Sequence, residues 1–393
     1  MNFIKEDTSS LKFERFPFFI GVQPCSRKTV VPAYLPFELI VDGRLVIPRL
    51  RLTQDIRDSL NSAYSGGSML STPLGHGTPL TKSRLYQMLK GIMSVAGGDL
   101  KRQRFLEVGC GSGELLVEIR SAGADVFGCE IGPQGQEAAR KYGIPILEGE
   151  LTKNSFGGNF DCIYSYGCLE HIIELEQFLD SCRYLLKPGG LLFHTVPNTA
   201  LTYKNVQTTN LCHQHINYFT PGNGIRLLRS QGFRDVGYRL THSGNELHLY
   251  GRFDPRRHIY LPNRDLDYVQ SERLILRRFA KRLNRVLDDQ KRILASFLER
   301  GESIGFYAGG FTTCMLLNIS GDIRFYDGDE MKQGKCWLTG LSPILSPRCL
   351  KDDPVDHLVI CPDHHLREIK DVLDGIIGRN SSTKIHLLSQ LEV

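Results

Sequence analysis

Apolar positions along the chain fall into short runs separated by helical spacings. Phe105-Leu106-Glu107-Val108 is a short apolar run that breaks into Gly109, Gly111 and Gly113, and Glu114–Arg120 follows with helical spacing, stopped at Gly123. A strand, a glycine turn and a helix are the elements this pattern predicts. Upstream, Leu85, Met88, Leu89, Ile92 and Met93 recur as the buried side of a helix leading into that strand. Downstream the alternation continues. Asp125–Glu130, Ile144–Leu147, Phe160–Tyr164 and Leu191–Val196 read as the second to fifth strands, with a helix over Ile172–Leu185 and a tight turn at Lys187-Pro-Gly-Gly190. Phe233–Leu240 and Glu246–Phe253 read as a final antiparallel pair. The result is an α/β fold, a doubly wound Rossmann-like sheet whose ligands lie at the carboxyl ends of its strands near the switch point.

Two further regions flank this sheet. Before residue 85, Phe37–Ile47 is a hairpin with Asp42-Gly43 as its turn, and Leu52–Tyr64 is a helix. Ser65–Gly77 is then a loop of small residues, either a lid or a linker; the polar tips of Tyr64 and His76 favour the lid. After the sheet, Pro262-Asn263 opens a long helix to about Arg300, with an apolar stripe at Leu276, Phe279, Leu283, Val286 and Leu287. Its basic face, Arg277, Arg278, Lys281, Arg282 and Arg285, is a solvated face or a polyanion patch, the former being favoured. Ser303–Thr312 repeats the strand and glycine turn, Asp322–Asp327 is a strand ending in an acid, His357–Cys361 a further strand and Leu366–Ile377 a helix. The expected division is an N-terminal mixed region over 1–84, the first α/β domain over 85–255, a linker helix over 256–300 and a smaller Rossmann-like α/β domain over 301–393.

Composition narrows the function classes. The net charge of +5 over 393 residues argues against nucleic acid, and no apolar run reaches the roughly 20 residues of a membrane span. Acids at Glu6 and Asp7 and the absence of a long apolar stretch exclude a secretory signal. Eleven cysteines are scattered singly with no CxxC pair, so reduced thiols in a cytoplasmic protein are expected, with neither zinc nor a disulfide framework.

The glycine turn alone does not choose among NAD, FAD and S-adenosylmethionine (SAM). Glu107 does: a carboxylate there would repel a pyrophosphate but suits the ammonium of SAM. Glu130, at the end of the second strand, is placed to accept both ribose hydroxyls, and Glu148 or Glu150 to meet the adenine amine. The cofactor set is therefore Glu107, Gly109, Cys110, Gly111, Gly113, Glu130, Ile131, Glu150, Leu151, Ser165 and Tyr166.

Four ordered stretches then resemble a class I SAM-dependent methyltransferase: Glu107-Val-Gly-Cys-Gly-Ser-Gly113, Glu130, Phe160-Asp-Cys-Ile-Tyr-Ser-Tyr-Gly-Cys-Leu-Glu-His-Ile172 and Leu185-Leu-Lys-Pro-Gly-Gly-Leu-Leu192. The wider architecture is similar to the sugar C-methyltransferases that act on 4-keto-deoxysugar nucleotides. Tyr307–Asn318, Tyr326–Asp329 with Lys332–Lys335, and Ile344–Pro347 resemble the C-terminal domain of that family. The resemblance implies that His171 and the segment Cys212-His-Gln-His-Ile-Asn-Tyr-Phe-Thr220 flank the substrate, with Tyr64 a looser match to an active-site tyrosine. Cys212 stands where the family has Tyr, Gln214 where it has Glu, and the family's N-terminal zinc cysteines are missing.

The implied reaction is methyl transfer to a nucleotide-linked or lipid-linked sugar of carbohydrate biosynthesis. A carbon acceptor needs a base beside a ketone and donors for the enolate oxygen. Histidine suits that role, so His215 is the candidate base, with His171, His213, Gln214 and Tyr64 beside it. Two histidines around a glutamine could instead bind a metal, but no third ligand is evident at suitable spacing, and they could also be plain loop residues. Tyr218, Asn198, Gly309, Gly310, Asp327 and Lys335 are the candidate substrate contacts. The turn at Ala308-Gly-Gly310 either holds a diphosphate or only packs against the catalytic domain. O- or N-methylation of a glycan building block is the alternative reaction. A non-catalytic sugar-nucleotide-binding partner is the alternative of another class.

Overall fold

The computed structural model describes residues 10–18, 21–25, 31–65, 73–75, 79–97, 99–337, 342–362, 366–378 and 381–391. The chain opens with β1 (Ser10–Pro17), β2 (Gln23–Pro24), β3 (Tyr34–Val41), β4 (Pro48–Leu50) and α1 (Gln54–Ser65). Most of the lid candidate, His76 included, lies outside the described residues. Then follow α2 (Pro79–Ala96), β5 (Arg104–Val108), α3 (Glu114–Ser121), β6 (Asp125–Glu130), α4 (Gln134–Tyr142), β7 (Ile146–Glu148) and β8 (Phe160–Tyr166). The first α/β unit ends with α5 (Leu175–Leu185), β9 (Leu186–Pro197), α6 (Thr199–Asn205), α7 (Pro221–Ser230), β10 (Phe233–Leu240) and β11 (Glu246–Phe253).

These strands form a seven-stranded sheet in the order β10-β11-β9-β8-β5-β6-β7, parallel except where β11 joins its neighbours β9 and β10 antiparallel. The order reverses between β5 and β8, the switch point where ligands bind in such sheets. Separate apolar clusters cover its two faces, one around Leu106, Ile163 and Leu192, the other around Phe105, Tyr164 and Phe193.

The C-terminal part runs through α8 (Leu266–Glu299), β12 (Ile304–Tyr307), α9 (Phe311–Leu317), β13 (Ile323–Tyr326), β14 (Lys335–Cys336), β15 (Ile344–Leu345), β16 (His357–Ile360), α10 (Leu366–Ile377) and β17 (Lys384–Leu387). A second sheet, all parallel, has the order β15-β13-β12-β16-β17. The stripe predicted on the long helix is its buried side: Leu276, Phe279, Leu283 and Leu287 share one core with Phe13, Phe37 and Leu39 of the N-terminal sheet and Ile304 and Phe306 of the second. Burying each such side chain contributes about 1.5–3 kcal/mol, so α8 is a strut holding three regions together. Arg277, Arg278, Lys281, Arg282 and Arg285 are exposed, and Arg282 donates to the carbonyls of Tyr203 and Lys204 in the last turn of α6.

Three expectations are corrected. The hairpin is present, with Asp42-Gly43 opening a six-residue turn to Ile47 and not forming a two-residue one. Asp42 accepts the N–H groups of Arg44 and Leu45, Val46 takes the left-handed conformation, and the return strand begins only at Pro48, opposite Val41. Lys187-Pro-Gly-Gly190 is not a turn between elements but a bulge inside β9, across from Asp161, whose carboxylate holds the Lys187 ammonium at 2.8 Å. Finally, Cys25 and Cys336 form a disulfide across 311 residues of sequence. The short antiparallel pairing of β2 with β14 brings them together, and the other nine cysteines remain thiols.

Candidate active site

The apolar run of β5 is buried on both sides, and the chain can leave it toward α3 only through a sharp turn. Gly109, Gly111 and Gly113 have φ of 70°, 53° and 82°, the left-handed region that glycine enters without steric cost. A Cβ on Gly109 would stand 2.9 Å from the Cys168 sulfur, whereas one on Gly111 would meet nothing within 4 Å. The turn is thus backed by protein at Gly109 and open at Gly111.

Glu130 closes one side of this opening. Its carboxylate accepts the N–H of Gly111 at 2.9 Å and of Gly132 at 2.8 Å, with the Gln134 carboxamide at 3.3 Å. Gly135 of α4 packs against it so closely that a Cβ would lie 2.6 Å from the Glu130 Cβ. Glu107, on β5 between Gly128 and Tyr164, is buried and accepts the Tyr164 hydroxyl at 3.2 Å. Burial raises its pKa well above the usual carboxylate range; the Tyr164 bond opposes this, and the charges of Glu114 and Glu130 add to it. Two carboxylates at one glycine turn therefore repel each other, a field that a cation would relieve. Ile131 follows Glu130 with 46 % of its surface exposed, an apolar face beside an acid. Leu151 is buried and Glu150 exposed nearby.

Two predicted members of this set are corrected. The Ser165 hydroxyl is fully buried and bonded to Nδ1 of His194 at 2.7 Å, and the Tyr166 hydroxyl is taken by Glu246, so neither polar tip joins the crevice. Cys110 is also turned inward, its sulfur against Gly128, and contributes backbone rather than thiol.

At the other end of the crevice a helical turn over Leu169–His171 follows β8. The loop after α6 is clamped to it: the Glu170 carbonyl accepts the N–H groups of Ile216 and Asn217 at 2.7 and 2.9 Å, and the Asn217 carboxamide donates to the carbonyls of Leu169 and Ile172. This clamp brings the His171 and His215 rings to 5.1 Å. His171 Nδ1 donates to the Gln214 carbonyl at 2.7 Å, with the Tyr64 hydroxyl 3.3 Å away, and His215 Nδ1 donates to the Asn210 carbonyl at 2.9 Å. Carbonyl acceptors fix both Nδ1 atoms as N–H, so both Nε2 atoms carry lone pairs. Burial lowers His215 to about 4 and His171 to about 3, the latter helped by His215, and both are neutral at pH 7.

Glu170 was not anticipated as a site residue, although it stands beside His171 in the sequence. Burial pushes its carboxyl up to about 8. One oxygen is 3.9 Å from His171 Nε2, and the other, Oε2, has no partner among the described residues. Cys168 joins the two ends of the crevice. Its side chain backs Gly109 and feels the charges of both Glu130 and Glu170, as does the Tyr64 hydroxyl, whose pKa burial raises.

The remaining candidates are placed elsewhere. His213 is enclosed by Phe16, Phe18 and Phe37 at ring distances of 5.7, 5.3 and 5.4 Å, with Nε2 on the Pro36 carbonyl, and is a core histidine rather than a partner of His215. The Gln214 side chain is buried, and its backbone carbonyl is what orients His171. Asn198 caps α6 and donates to the Gly244 carbonyl. Tyr218 is buried behind His215 at 6.3 Å, its hydroxyl on the Cys212 carbonyl. In the second unit Gly309 and Gly310 have φ of 129° and 79°, Asp327 accepts from Lys332 at 2.9 Å, and Lys335 pairs with Pro24. The second unit's candidates thus make their contacts away from the histidine pair.

Residues 80–237, which hold the glycine turn, both carboxylates and both site histidines, match the family model of a methyltransferase domain. The C-methyltransferase NovU of Streptomyces niveus is 25 % identical over 299 residues, 71 % of this chain and 70 % of that protein. A ubiquinone biosynthesis O-methyltransferase of Sinorhizobium fredii is 29 % identical over 109 residues, and the chain spans only 44 % of its length. Among solved structures, a magnesium protoporphyrin IX methyltransferase from Synechocystis PCC 6803 with bound SAH is 19 % identical, covering 46 % of this chain and 90 % of that one at a TM-score of 0.35. The matched segment is a methyltransferase domain, and the chain is a SAM-dependent methyltransferase whose cofactor is S-adenosylmethionine.

Proposed function

We propose that the enzyme methylates a carbon atom beside a ketone on a nucleotide-linked deoxysugar, with His215 as general base. The observation that carries this reading is the pair of neutral imidazoles, 5.1 Å apart, whose Nδ1–H groups are spent on carbonyls while both Nε2 atoms keep their lone pairs. SAM supplies an electrophilic methyl group on a sulfonium. The chain's own residues do the rest. Glu130 takes the ribose hydroxyls, Glu107 makes the amino-acid end electronegative, Ile131 and Leu151 flank the adenine and Glu150 meets its amine. His215 Nε2 removes the acceptor proton, and His171 with Tyr64 holds the ketone oxygen as charge develops on it.

In this reading residues 85–255 are the catalytic domain and residues 301–393 hold the distal part of the acceptor at Ala308–Gly310. The site of action is the cytoplasm, and the product belongs to polysaccharide or natural-product sugar biosynthesis. Among the described residues no helix is long and apolar enough to cross a membrane.

O-methylation of a glycan hydroxyl is the second reading, favoured by Gln214, which lacks a charge to strengthen a neighbouring imidazole, and by the O-methyltransferase similarity over 109 residues. Incubation of 4-keto-deoxysugar nucleotides with enzyme and S-adenosylhomocysteine in deuterated water separates the two. Enzyme-dependent deuterium at the acceptor carbon is expected for the first reading. No exchange, together with methyl transfer to hydroxyl acceptors, would replace it by the second.

A further inference from the structure

We propose that Glu170, His171 and His215 form a divalent-cation site of the zinc or cobalt type at the acceptor end of the crevice, and that filling it switches the enzyme off. One ligand atom from each of the three residues lies within 4.8 Å of the others, a separation that a single ion can bridge. The donor set is right for such an ion: two imidazoles and a carboxylate bind it and leave a further position open. The orientation is right as well. Metal-binding histidines give their second nitrogen to a carbonyl or carboxylate, and here the Gln214 and Asn210 carbonyls hold both Nδ1 atoms.

Glu170 supplies an independent observation. Its side chain is 4 % exposed, one oxygen faces His171 Nε2, and Oε2 has no partner among the described residues. Buried carboxylate oxygens are almost always satisfied, so a carboxylate with one oxygen toward an imidazole lone pair and the other without a donor is suited to a cation. The three residues are held before any ion arrives, because the Glu170 carbonyl takes the N–H groups of Ile216 and Asn217 and locks the two segments together. His213, the partner that sequence spacing offered, is not part of this site; the fold replaces it with His171 and adds the carboxylate.

The consequence rests on His215 being the base, whereas the existence of the site does not. A cation on His215 Nε2 occupies the lone pair that would take the acceptor proton; a proton on the Glu170 carboxyl leaves to solvent as the carboxylate binds, and no redox step occurs. Occupancy therefore competes with the acceptor and not with SAM.

The test is titration of the chelator-treated full-length protein with Co2+, read by visible absorption, in a Cys349→Ser background that removes the one exposed thiol. One Co2+ per chain with visible bands that Zn2+ displaces is expected. Glu170→Gln and His171→Asn should each weaken binding by more than about tenfold while still binding S-adenosylhomocysteine, which shows that they are folded. No band, or binding unchanged in both variants, overturns the site. Zn2+ should lower turnover, relieved by excess acceptor or by chelator; a rise in turnover with Zn2+ overturns the inhibitory role. Wild-type turnover in His215→Ala would defeat the base assignment alone, leaving the Co2+ result to stand or fall separately.

Discussion

The chain builds a strand, a glycine turn and a helix twice, and the two turns differ in what surrounds them. In the first, a Cβ on Gly111 would project into open space, and Glu130 returns from the second strand to neutral N–H groups. In the second, a Cβ on Gly310 would lie 2.4 Å from the Phe306 ring, and Asp327 is met by the Lys332 ammonium. The first turn keeps glycine for a visitor and leaves its acids uncompensated. The second packs Gly310 against its own strand, leaves Gly309 at ordinary contact distance and neutralises its acid. Shared topology therefore does not imply shared ligands; a sulfonium cofactor needs the space and negative field that the first turn alone combines.

Removing the base tests the comparison most severely. His215→Ala should lower turnover about 10²–10⁴-fold and leave SAM affinity within a few-fold, measured by methyl-transfer assay and calorimetry. Acid comes next. His194, His213 and His248 are buried and neutral in the first unit and its N-terminal cover, with burial lowering them to about 3, 4 and 4 from 6.5. Their folded pKa values lie below the unfolded ones, so the unfolded state binds more protons and stability rises with pH. Loss should begin below pH 6.5 and continue toward 4, reaching roughly 2 kcal/mol per histidine at pH 5. Denaturant titrations with probes in each unit should show the first giving way before the second. Reducing the disulfide should cost about 2–4 kcal/mol where the N-terminal region meets the second unit, with SAM binding unchanged. The smallest effect is expected from Asp327→Ala, about 1 kcal/mol of stability from the half-buried ion pair with Lys332, read by the same titrations.

Most of the framework was legible because it rests on periodicity. The antiparallel pair Phe233–Leu240 and Glu246–Phe253 has the expected bounds, and the stripe on α8 is its buried face. The glycine turn and Glu130 were legible because few residue types can do what those positions require. The acceptor end was less so. His213 and His215 are two residues apart, yet one faces an aromatic cage and the other the crevice, since an irregular loop has no fixed period to say where its side chains point. Glu170 was passed over because its role depends on a clamp to residues 216 and 217 across the fold. Cys336 lies in a two-residue strand and Cys25 directly follows another, both too short to leave a pattern.

The proposed methyl transfer requires SAM to bind at the first glycine turn, held at the Glu130 carboxylate. Calorimetric titration of SAM into the wild-type chain, Glu130→Ala and Asp327→Ala tests it most directly. One molecule per chain is expected, with an affinity weakened by about 1–3 kcal/mol in Glu130→Ala and unchanged in Asp327→Ala. Equal affinity in wild type and Glu130→Ala, or a loss confined to Asp327→Ala, would contradict it.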